Sequence, residues 1–266
     1  MSALPEISPD QLNRLIGTPE APVILDVRTA EDFANDPRLI PTARKLAHGA
    51  VLDALPSLDL EHVVVVCHRG LKLSQGAAAL LRSEGIKAEW LTGGMQVWRE
   101  AGHPLIAAEK LPTGGLWVTR HRPKIDRIAC PWLIRRFVDP EARFLFVSPG
   151  EVLNVADRFG ATAFDIEGAE LSHRGELCSF DVMLADWGLK TEPLERLAKV
   201  IRAADTNRHD LAPEAAGLLA ISVGLSRQYR DDLAELEAGM ALYDALYRWA
   251  RDGFGETHDW PASGKP

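Results

Sequence analysis

Four consecutive valines followed by a cysteine constrain the fold of this chain more than any other feature. The run Val63–Val66 is β-branched throughout, and Cys67 ends it before a short polar loop and a helical apolar pattern over Ser74–Glu84. β-Branched residues favour strands, and a strand without a polar position is buried on both faces. Strands of that kind occur in parallel sheets covered by helices on both sides. The run therefore predicts an α/β fold.

The length of the chain and the change in its residue pattern predict two domains. The 266 residues suffice for two ordinary domains, and 46% hydrophobic with 26% charged residues is typical of a globular protein. Residues 1–108 alternate short apolar strands with helical periods, 109–115 form a linker rich in Pro and Gly, and 116–252 are mainly helical. Helices are expected over about 179–187, 192–204, 212–224 and 230–251. Residues 253–266 lose the helical period, so a loosely ordered tail is expected there.

Charge and cysteine content exclude several classes of protein. Thirty basic against 38 acidic side chains leave a formal net charge of −8, which is unlike a nucleic-acid-binding protein. No apolar stretch approaches the ~20 residues that span a bilayer, and residues 1–8 lack the regions of a signal peptide. Three cysteines cannot all pair, which suits a reducing compartment. We expect a cytoplasmic protein with neither a membrane partner nor a nucleic-acid partner.

Cys67 and the loop after it form the candidate catalytic site. A cysteine between a strand end and a helix start lies where backbone N–H groups converge and the helix dipole attracts an anion, which favours the nucleophilic thiolate. The candidate substrate-binding residues of the loop are His68, Arg69, Gly70, Leu71 and Lys72. Such a loop can hold a substrate oxyanion or a sulfur atom carried on the cysteine. The alternative is a buried structural cysteine, because free cysteines are among the most buried residues.

Six segments of the first domain follow, in order, the pattern of a known family. They are Val23–Arg28, Glu31–Phe33, Ile40–Ala43, the Cys67 loop, Leu91–Trp98 and Ala101–Pro104. Together they resemble the single-domain rhodanese family over about residues 5–107. The resemblance implies a parallel sheet flanked by helices, a persulfide-forming Cys67 and a substrate cradle formed by residues 68–72. It also implies structural roles for Asp26 and Arg28, a small-molecule sulfur donor, a thiophilic acceptor, and no cofactor for sulfur transfer.

The length of the Cys67 loop separates two activities within this fold. In rhodaneses four residues follow the cysteine before a basic residue, and that position is Lys72. Related phosphatases and arsenate reductases use one more residue and end on arginine, which helps to surround a tetrahedral oxyanion. The corresponding residue here is Leu73, which cannot bind an oxyanion, so sulfur transfer is favoured. Lys72 supplies a point charge where the family more usually has the bidentate fork of arginine.

The second domain contains a strongly basic segment. Residues 120–136 hold six Lys and Arg side chains and one acidic residue. Arg120, Lys124 and Arg127 are the candidates for binding an oxyanion such as chromate, sulfate or phosphate. The alternative is a solvated face that pairs with the acidic remainder of the domain. The acidic residue, Asp126, is expected to cap the helix that begins there.

A polar stretch over residues 165–181 combines carboxylates, one histidine and one thiol. These donor types suit a transition metal, and the candidate ligands are His173, Glu170 and Cys178. No compact pair such as Cys-x-x-Cys accompanies them, so a hydrogen-bonded loop is the alternative. Ser179 is expected to cap the helix that begins there. Asp205 belongs to another polar junction, which either faces the same cleft or caps a helix.

Three runs of the second domain resemble another family. They are residues 117–137, 170–181 and 218–226. They resemble the chromate-resistance domain at the C-terminus of ChrB-type proteins, over about residues 116–251. The resemblance implies a link to chromate resistance. Some members are chromate-responsive regulators with a different N-terminal domain, so the resemblance carries no DNA binding to this chain.

These observations together predict an α/β protein with a rhodanese-like first domain and a mainly α-helical, α+β second domain. The predicted function is the transfer of sulfane sulfur through a Cys67 persulfide, linked to chromate resistance. One alternative is a sensor or binding protein for chromate or sulfate. Another is a chromate reductase that uses Cys130, Cys178 and His173, through thiol or metal chemistry.

Overall fold

The strands and helices are described by a computed structural model over residues 5–53 and 61–256. The strands are β1 Glu6–Ile7, β2 Val23–Asp26, β3 Arg38–Leu39, β4 Arg44–Lys45, β5 Val63–Val66, β6 Ala88–Leu91, β7 Ile106–Ala107, β8 Leu116–Arg120, β9 Arg143–Val147 and β10 Thr162–Ala163. The helices are α1 Pro9–Leu15, α2 Ala30–Asn35, α3 Lys72–Ser83, α4 Gly94–Glu100, α5 Asp126–Leu133, α6 Val152–Phe159, α7 Ser179–Trp187, α8 Glu192–Asp205, α9 Ala215–Gln228 and α10 Asp232–Arg248. Two π-helical turns, Ile134–Val138 and Trp249–Gly253, extend α5 and α10. In this part of the chain, no helix has the length and apolar character needed to cross a membrane.

A five-stranded parallel sheet forms the centre of the first half. Its strand order is β1-β6-β5-β2-β4, with β5 in the middle. Helix α3 packs on one face of the sheet, while α1 and α4 contribute to the hydrophobic core on the other. Strands β3 and β7 pair separately as an antiparallel ribbon. The predicted parallel sheet with flanking helices is confirmed.

The valines of β5 belong to two different hydrophobic cores. Val63 and Val65 pack with α3 in a smaller core, and Val64 and Val66 pack in a larger core on the opposite face. Alternate residues of a strand point to opposite faces, so a strand buried on both faces needs an apolar residue at every position. This double burial explains why β5 has no polar residue.

The second half combines a small parallel sheet with the longest helices of the described chain. The sheet has the order β10-β8-β9, and α5, α7, α8 and α10 contribute buried residues to its core. The prediction of a mainly helical second half is confirmed. Helix α10 begins two residues later than predicted because Asp231 caps it, its carboxylate accepting a hydrogen bond from the Ala234 amide at 2.7 Å.

The larger hydrophobic core is continuous across the two halves of the chain. It contains Ile24, Val64 and Trp98 from the first half and Trp132, Phe137 and Tyr247 from the second. Gly17 lies at the contact, where a Cβ atom would collide with the rings of Phe137 and Tyr247. The Thr42 amide donates to the Phe137 carbonyl at 3.1 Å. The two halves are therefore joined by side-chain packing as well as by the connecting residues 109–115. The exact domain boundaries stay a prediction.

Most of the predicted tail, residues 253–266, lies outside the described residues, which end at 256. Within residues 253–256, the Phe254 ring lies 4.1 Å from the guanidinium carbon of Arg196. The same ring packs on Trp249 with a centroid distance of 5.3 Å. The loose order expected for the tail stays a prediction.

One ion pair is fully buried beside the five-stranded sheet. Arg28 Nε donates to the two carboxylate oxygens of Asp26 at 3.0 and 2.8 Å, and the two side chains are 1% and 2% exposed. The Arg28 guanidinium also donates to the carbonyls of Asp36 and Arg38, at 2.8 and 2.7 Å. The pair thus ties the end of β2 to the segment that leads into β3, which agrees with the structural role implied by the resemblance.

We expect Arg28→Ala to lower the free energy of unfolding by about 3–5 kcal/mol, because it leaves the Asp26 carboxylate buried without its partner. Urea unfolding followed by circular dichroism measures this loss. Arg208→Ala is the matched control, since Arg208 pairs with Asp210 at 3.0 Å and the side chains are 50% and 64% exposed. Its loss should stay below about 1 kcal/mol. Equal losses in the two variants would contradict a supporting role for the buried pair.

Candidate active site

Cys67 lies directly after β5, at the edge of the sheet where the parallel strands end. In open sheets of this kind, ligands bind outside that edge. The cysteine is 5% exposed, and its Sγ lies 3.1 Å from the Oγ of Ser74 in the first turn of α3. A hydroxyl at this distance can donate a hydrogen bond to a thiolate. The structure therefore provides the Cys67 sulfur with a polar partner on its buried side.

The loop after Cys67 leaves its backbone N–H groups available. No amide of residues 68–71 donates to another backbone group within the described residues 5–53 and 61–256. Two carbonyls of the loop, by contrast, are fixed by α4: the Cys67 and His68 carbonyls accept from the amides of Met95 and Gln96, both at 3.0 Å. A loop with anchored carbonyls and available amides is suited to binding an anion.

Glycines allow the Cys67 loop to touch the turn that precedes α4. Gly70 and Gly94 have φ angles of 68° and 60°, in the left-handed region that favours glycine. A Cβ atom on Gly70 would collide with the backbone of Leu91 and Gly93, and one on Gly94 would collide with the backbone of Cys67. These close approaches set the position of the loop amides relative to the sulfur.

The cationic side chains of the loop lie at its rim. Arg69 and Lys72 are exposed, and His68 is half-buried. Leu71 is 55% exposed and adds an apolar side chain to the same rim. The predicted site residues thus provide one buried thiol, a set of backbone donors and two exposed cations within a single short loop.

A second cluster of ionisable side chains lies in the other half of the chain. It consists of Asp126 at the start of α5, Asp165 after β10, Asp205 at the end of α8, and His173 in the loop before α7. The Nε2 atom of this histidine lies 3.6 Å from Asp126, 3.4 Å from Asp165 and 3.2 Å from Asp205. Asp126 and Asp165 are only 1% and 4% exposed. Three elements far apart in sequence therefore surround one imidazole.

Asp126 caps a helix other than its own. Its carboxylate accepts hydrogen bonds from the amides of Ser179 and Phe180, at 2.7 and 3.1 Å, at the first turn of α7. The predictions that Asp126 caps α5 and that Ser179 caps α7 are both wrong. The residue before α5 is Ile125, and the residue before α7 is Cys178, whose amide donates to Asp181 at 3.2 Å. The next two amides, which begin α7, bond to a side chain 53 and 54 positions upstream. Local pattern cannot show this, because the cap comes from tertiary structure.

Two of the three predicted anion-binding cations meet a carboxylate. Arg120 donates to Asp165 at 2.9 Å, and the Arg127 Nε lies 3.3 Å from the same carboxylate. The Ser179 hydroxyl donates to its other oxygen at 2.9 Å. The third candidate, Lys124, lies near α10 instead and lowers the pKa of Glu235, against the larger effect of burial. Arg127 also lowers the pKa of Glu235, so it lies between the two carboxylates, whereas Lys124 forms no ion pair with Asp165 in the described chain.

The ligand types that the structure brings together differ from the predicted metal set. Ligand atoms of Asp126, His173 and Asp205 all lie within 4.8 Å of one another. An imidazole with two carboxylates fits zinc and other first-row metals. Glu170 is exposed, and the Cys178 thiol donates to Asp181 at 3.2 Å. Of the predicted ligands, His173 belongs to this group in the described part of the chain.

Burial and repulsion between carboxylates control protonation in this cluster. Burial, with repulsion from Asp205 and Asp165, raises the pKa of Asp126 to about 8. The hydrogen bond to Asp165, opposed by desolvation and aided by the other carboxylates, raises the pKa of His173 to about 8. Although burial opposes it, hydrogen bonds from His173 and Arg120 hold the pKa of Asp165 below its ordinary value. The cluster therefore holds protons at neutral pH in the folded state.

Cys130 and Cys178 are both fully buried beside this cluster. The Cys130 Sγ lies 3.5 Å from an Asp126 oxygen. Burial, reinforced by the Asp126 charge, raises the pKa of each thiol well above its ordinary value. Both groups therefore remain thiols, which are poor nucleophiles and poor metal ligands.

Two families match the two halves of the chain. The profile of the ChrB C-terminal domain matches residues 117–250, which is half of the chain, and that of the rhodanese-like domain matches residues 8–101. The chain belongs to both families. The Cys67 loop lies in the rhodanese-like domain, and the cluster around His173 lies in the ChrB C-terminal domain.

Individual relatives show the same division. Protein ChrB of Cupriavidus metallidurans is 38% identical over 135 residues, which are 50% of this chain and 40% of that relative. This chain therefore spans less than half the length of that protein. The thiosulfate sulfurtransferase GlpE of Stutzerimonas stutzeri is 33% identical over 101 residues, 37% of this chain and 88% of the relative. A solved rhodanese-related protein from Thermoplasma volcanium has 22% identity and a TM-score of 0.34, over 38% of this chain and 97% of its own.

Sequence reasoning missed functional candidates in both families' domains. Ser74 of the rhodanese-like domain lies seven positions after Cys67, and only the turn of α3 brings its hydroxyl back to the sulfur. In the ChrB C-terminal domain, Asp126 and Asp205, which share the ligand group with His173, are not among the predicted metal ligands. The available signal was the presence of one acidic residue within the basic segment 120–136.

We expect the free energy of unfolding to fall as the pH rises between about 6.5 and 8. The folded chain holds a proton on His173 up to a pKa of about 8, against 6.5 in the unfolded chain, and Asp126 acts in the same direction. The unfolded state therefore binds fewer protons in this range, and raising the pH favours it. Urea titrations at several pH values measure the slope.

His173→Gln should flatten this slope, and His121→Gln is the matched control because His121 is exposed and lies outside the cluster. An unchanged slope in His173→Gln, or a flattened slope in His121→Gln, would contradict the role given to the cluster.

Proposed function

We propose that this protein is a rhodanese-type sulfurtransferase that carries sulfane sulfur as a persulfide on Cys67. The observation that carries the proposal is the loop itself, with one thiol beside amides of residues 68–71 that bond to no other backbone group in the described chain. Membership of the rhodanese-like family supports it, and the GlpE relatives are named as thiosulfate sulfurtransferases.

The first step loads the cysteine. The Cys67 thiolate attacks the outer sulfur of a thiosulfate-like donor, the S–S bond of the donor breaks, and its electron pair leaves with sulfite. Available amides and the charges of Arg69 and Lys72 stabilise the anionic donor, the leaving sulfite and the terminal persulfide sulfur. The Ser74 hydroxyl lies 3.1 Å from the Cys67 sulfur and 3.3 Å from the Leu71 carbonyl, so it can turn its proton from the carbonyl to the thiolate before the attack.

The second step unloads the cysteine. A thiophilic acceptor attacks the terminal sulfur of the persulfide, and the electron pair of the S–S bond returns to Cys67 as a thiolate. Both steps move one sulfur atom with balanced electron pairs, so the proposed cycle requires neither a redox cofactor nor a metal. The partners of the cycle are a small-molecule donor and an acceptor.

The position of Leu73 supports sulfur transfer over phosphatase chemistry. Leu73 lies in α3, where it is partly buried and packs against the smaller hydrophobic core. The resemblance places an arginine at this position in the related phosphatases. Here the side chain is used for packing, and the cradle ends at Lys72.

The proposal links this activity to chromate resistance, because residues 117–250 belong to the ChrB C-terminal domain family. A reductase that uses Cys130 and Cys178 receives no support from their burial and protonation. A chromate sensor that uses Arg120 and Arg127 would have to displace the Asp165 carboxylate. A cytoplasmic location is part of the proposal, since the three free cysteines suit a reducing compartment.

We expect Cys67→Ser to abolish sulfur transfer from thiosulfate to cyanide. Wild-type protein incubated with thiosulfate should gain the mass of one sulfur atom, and the variant should not. Cys178→Ser is the matched control: a serine hydroxyl can keep the hydrogen bond that the buried Cys178 thiol makes to Asp181. Turnover in Cys67→Ser, or wild-type protein without a persulfide, would refute the proposal.

We expect Lys72→Gln to lower kcat/KM for thiosulfate about tenfold, the effect of losing one charge-assisted contact. Lys72→Arg should restore the activity because it restores the charge. Lys110→Gln is the control, since Lys110 is an exposed lysine far along the chain from the loop. Steady-state kinetics provide the measurement, and a Lys72→Gln enzyme with unchanged kcat/KM would contradict the assignment.

A further inference from the structure

A cavity of about 290 Å³ opens in the second half of the chain, at the turn between α9 and α10. Its lining includes Arg122, Ser226, Arg227, Arg230, Asp232 and Glu235. The volume is close to the lower limit of small-molecule sites, so the cavity suits a small ligand. Neither the Cys67 loop nor the His173 cluster contributes to this lining.

Three arginines give the cavity a positive character. Arg122, Arg227 and Arg230 are exposed, and no carboxylate of the described residues forms an ion pair with any of them. Their charges exceed those of the two acidic residues in the lining, Asp232 and Glu235. Guanidinium groups present paired donors that match the geometry of tetrahedral oxyanions.

Two buried polar groups of the lining have no hydrogen-bond partner. Glu235 is 1% exposed and Ser226 is 6% exposed. The Glu235 Oε1 and the Ser226 Oγ each lack a partner within the described chain. Burying such groups without a hydrogen bond is costly, so native proteins rarely leave them unpaired. A ligand that offers a hydrogen to Glu235 would satisfy the more costly of the two.

The segment that carries Arg122 is held in a strained conformation over α10. Arg122 and Ile125 have φ angles of 55° and 44°, and a β-branched residue rarely adopts such a value. Two hydrogen bonds with α10 hold these residues in that conformation. The Arg122 amide donates to Asp232 at 3.0 Å, and the Tyr243 hydroxyl donates to the Ile125 carbonyl at 2.8 Å. Strained backbone conformations that are held in place by the surrounding structure are found most often at binding and active sites.

We propose that this cavity binds a small tetrahedral oxyanion that carries a proton, of the hydrogenphosphate type. The three arginines would donate to its oxygens. Ser226 and Glu235 line the cavity, and a turn of their buried side chains toward it would let the Ser226 hydroxyl donate to the ligand and the Glu235 carboxylate accept from its P–OH group. Sulfate carries no proton at neutral pH, so it would place an oxygen that cannot donate a hydrogen bond beside the Glu235 carboxylate. The carboxylate therefore acts as the element that selects for a protonated ligand.

The charges that face Glu235 determine the pH at which this selection operates. Asp232 lies on the same helix, while Lys124, Arg127 and Arg122 face the carboxylate from the segment before and within α5. Burial first, then repulsion from Asp232, raises the pKa of Glu235 to about 7, and the three cations oppose the rise. At pH 8 the group is mostly an ionised acceptor, and near pH 6 it can itself donate to sulfate. The preference for phosphate should therefore increase with pH.

Isothermal titration of the full chain with inorganic phosphate and with sulfate, at pH 8, tests the proposal. We expect phosphate to bind at least about tenfold more tightly than sulfate, the effect of one charge-assisted hydrogen bond. Arg227→Gln and Arg230→Gln should each weaken phosphate binding about tenfold. Both arginines are exposed, so these variants should fold, and Arg208→Gln is the exposed control outside the cavity.

Glu235→Gln tests the selection directly. The amide of glutamine can donate to any oxyanion, so the preference for phosphate over sulfate should disappear while sulfate binding improves. Glu237→Gln is the control on the same helix, because Glu237 is 62% exposed and pairs with Arg135. A phosphomonoester such as glycerol phosphate carries no proton at pH 8, and it should bind as weakly as sulfate.

The Cys67 loop also attracts anions, so the titrations include Lys72→Gln, which should leave the cavity's affinity unchanged. The Cys67→Ser variant, in which sulfur transfer should be lost, should likewise bind phosphate in the cavity with unchanged affinity. The proposal is overturned if wild-type protein binds no phosphate at millimolar concentration. It is also overturned if sulfate or glycerol phosphate binds as tightly as phosphate at pH 8, or if the two arginine variants keep full affinity.

Discussion

Burial of β5 on both faces fixes the position of Cys67. Val63 and Val65 pack with α3, and Val64 and Val66 pack in the core on the other side, so all four strand positions are buried. A shift by one residue would bring His62 or Cys67 into one of these buried positions. The chain must leave the sheet at Cys67, at the edge where α3 begins. Gly70 in the loop and Gly94 at the start of α4 then allow the loop to approach closely enough for its carbonyls to be anchored. A hydrophobic constraint thus positions a polar site.

The Asp126 carboxylate organises the second half in a comparable way, because several neighbouring groups are positioned around it. It lies fully buried, accepts two amide hydrogen bonds from α7, and sits beside the Cys130 thiol and the His173 imidazole. A buried carboxylate is costly unless its environment supplies donors or protons, and here both are present. Helix packing and protonation are therefore coupled in this region: the group that aligns α5 with α7 is also the one whose charge the neighbouring side chains control.

The features that the sequence predicts correctly are those determined by residues close to one another along the chain. The Cys67 loop and the helix over 179–187 are contiguous segments, and their residue patterns carry the necessary information. The grouping of Asp126, Asp165 and Asp205 around His173 comes from elements up to 79 positions apart, and no local period shows it. The same reason explains the wrong helix caps, since an acceptor from another helix, the Asp126 carboxylate, took the place of the local serine. Ser74 is an intermediate case, because its approach to Cys67 depends on where α3 begins.

The core that runs from Trp98 to Tyr247 has a consequence for the protein as an evolutionary unit. The contact of Gly17 with Phe137 and Tyr247 leaves no space for a side chain, so the surfaces of the two halves have to change together. A domain that replaced either half of this chain would have to cover the same apolar face that the present neighbour covers. Because both halves contribute to one core, a ligand that binds either half raises the stability of the whole chain by mass action. The fusion therefore joins two families around one shared core, which a tethered pair of independent modules would lack.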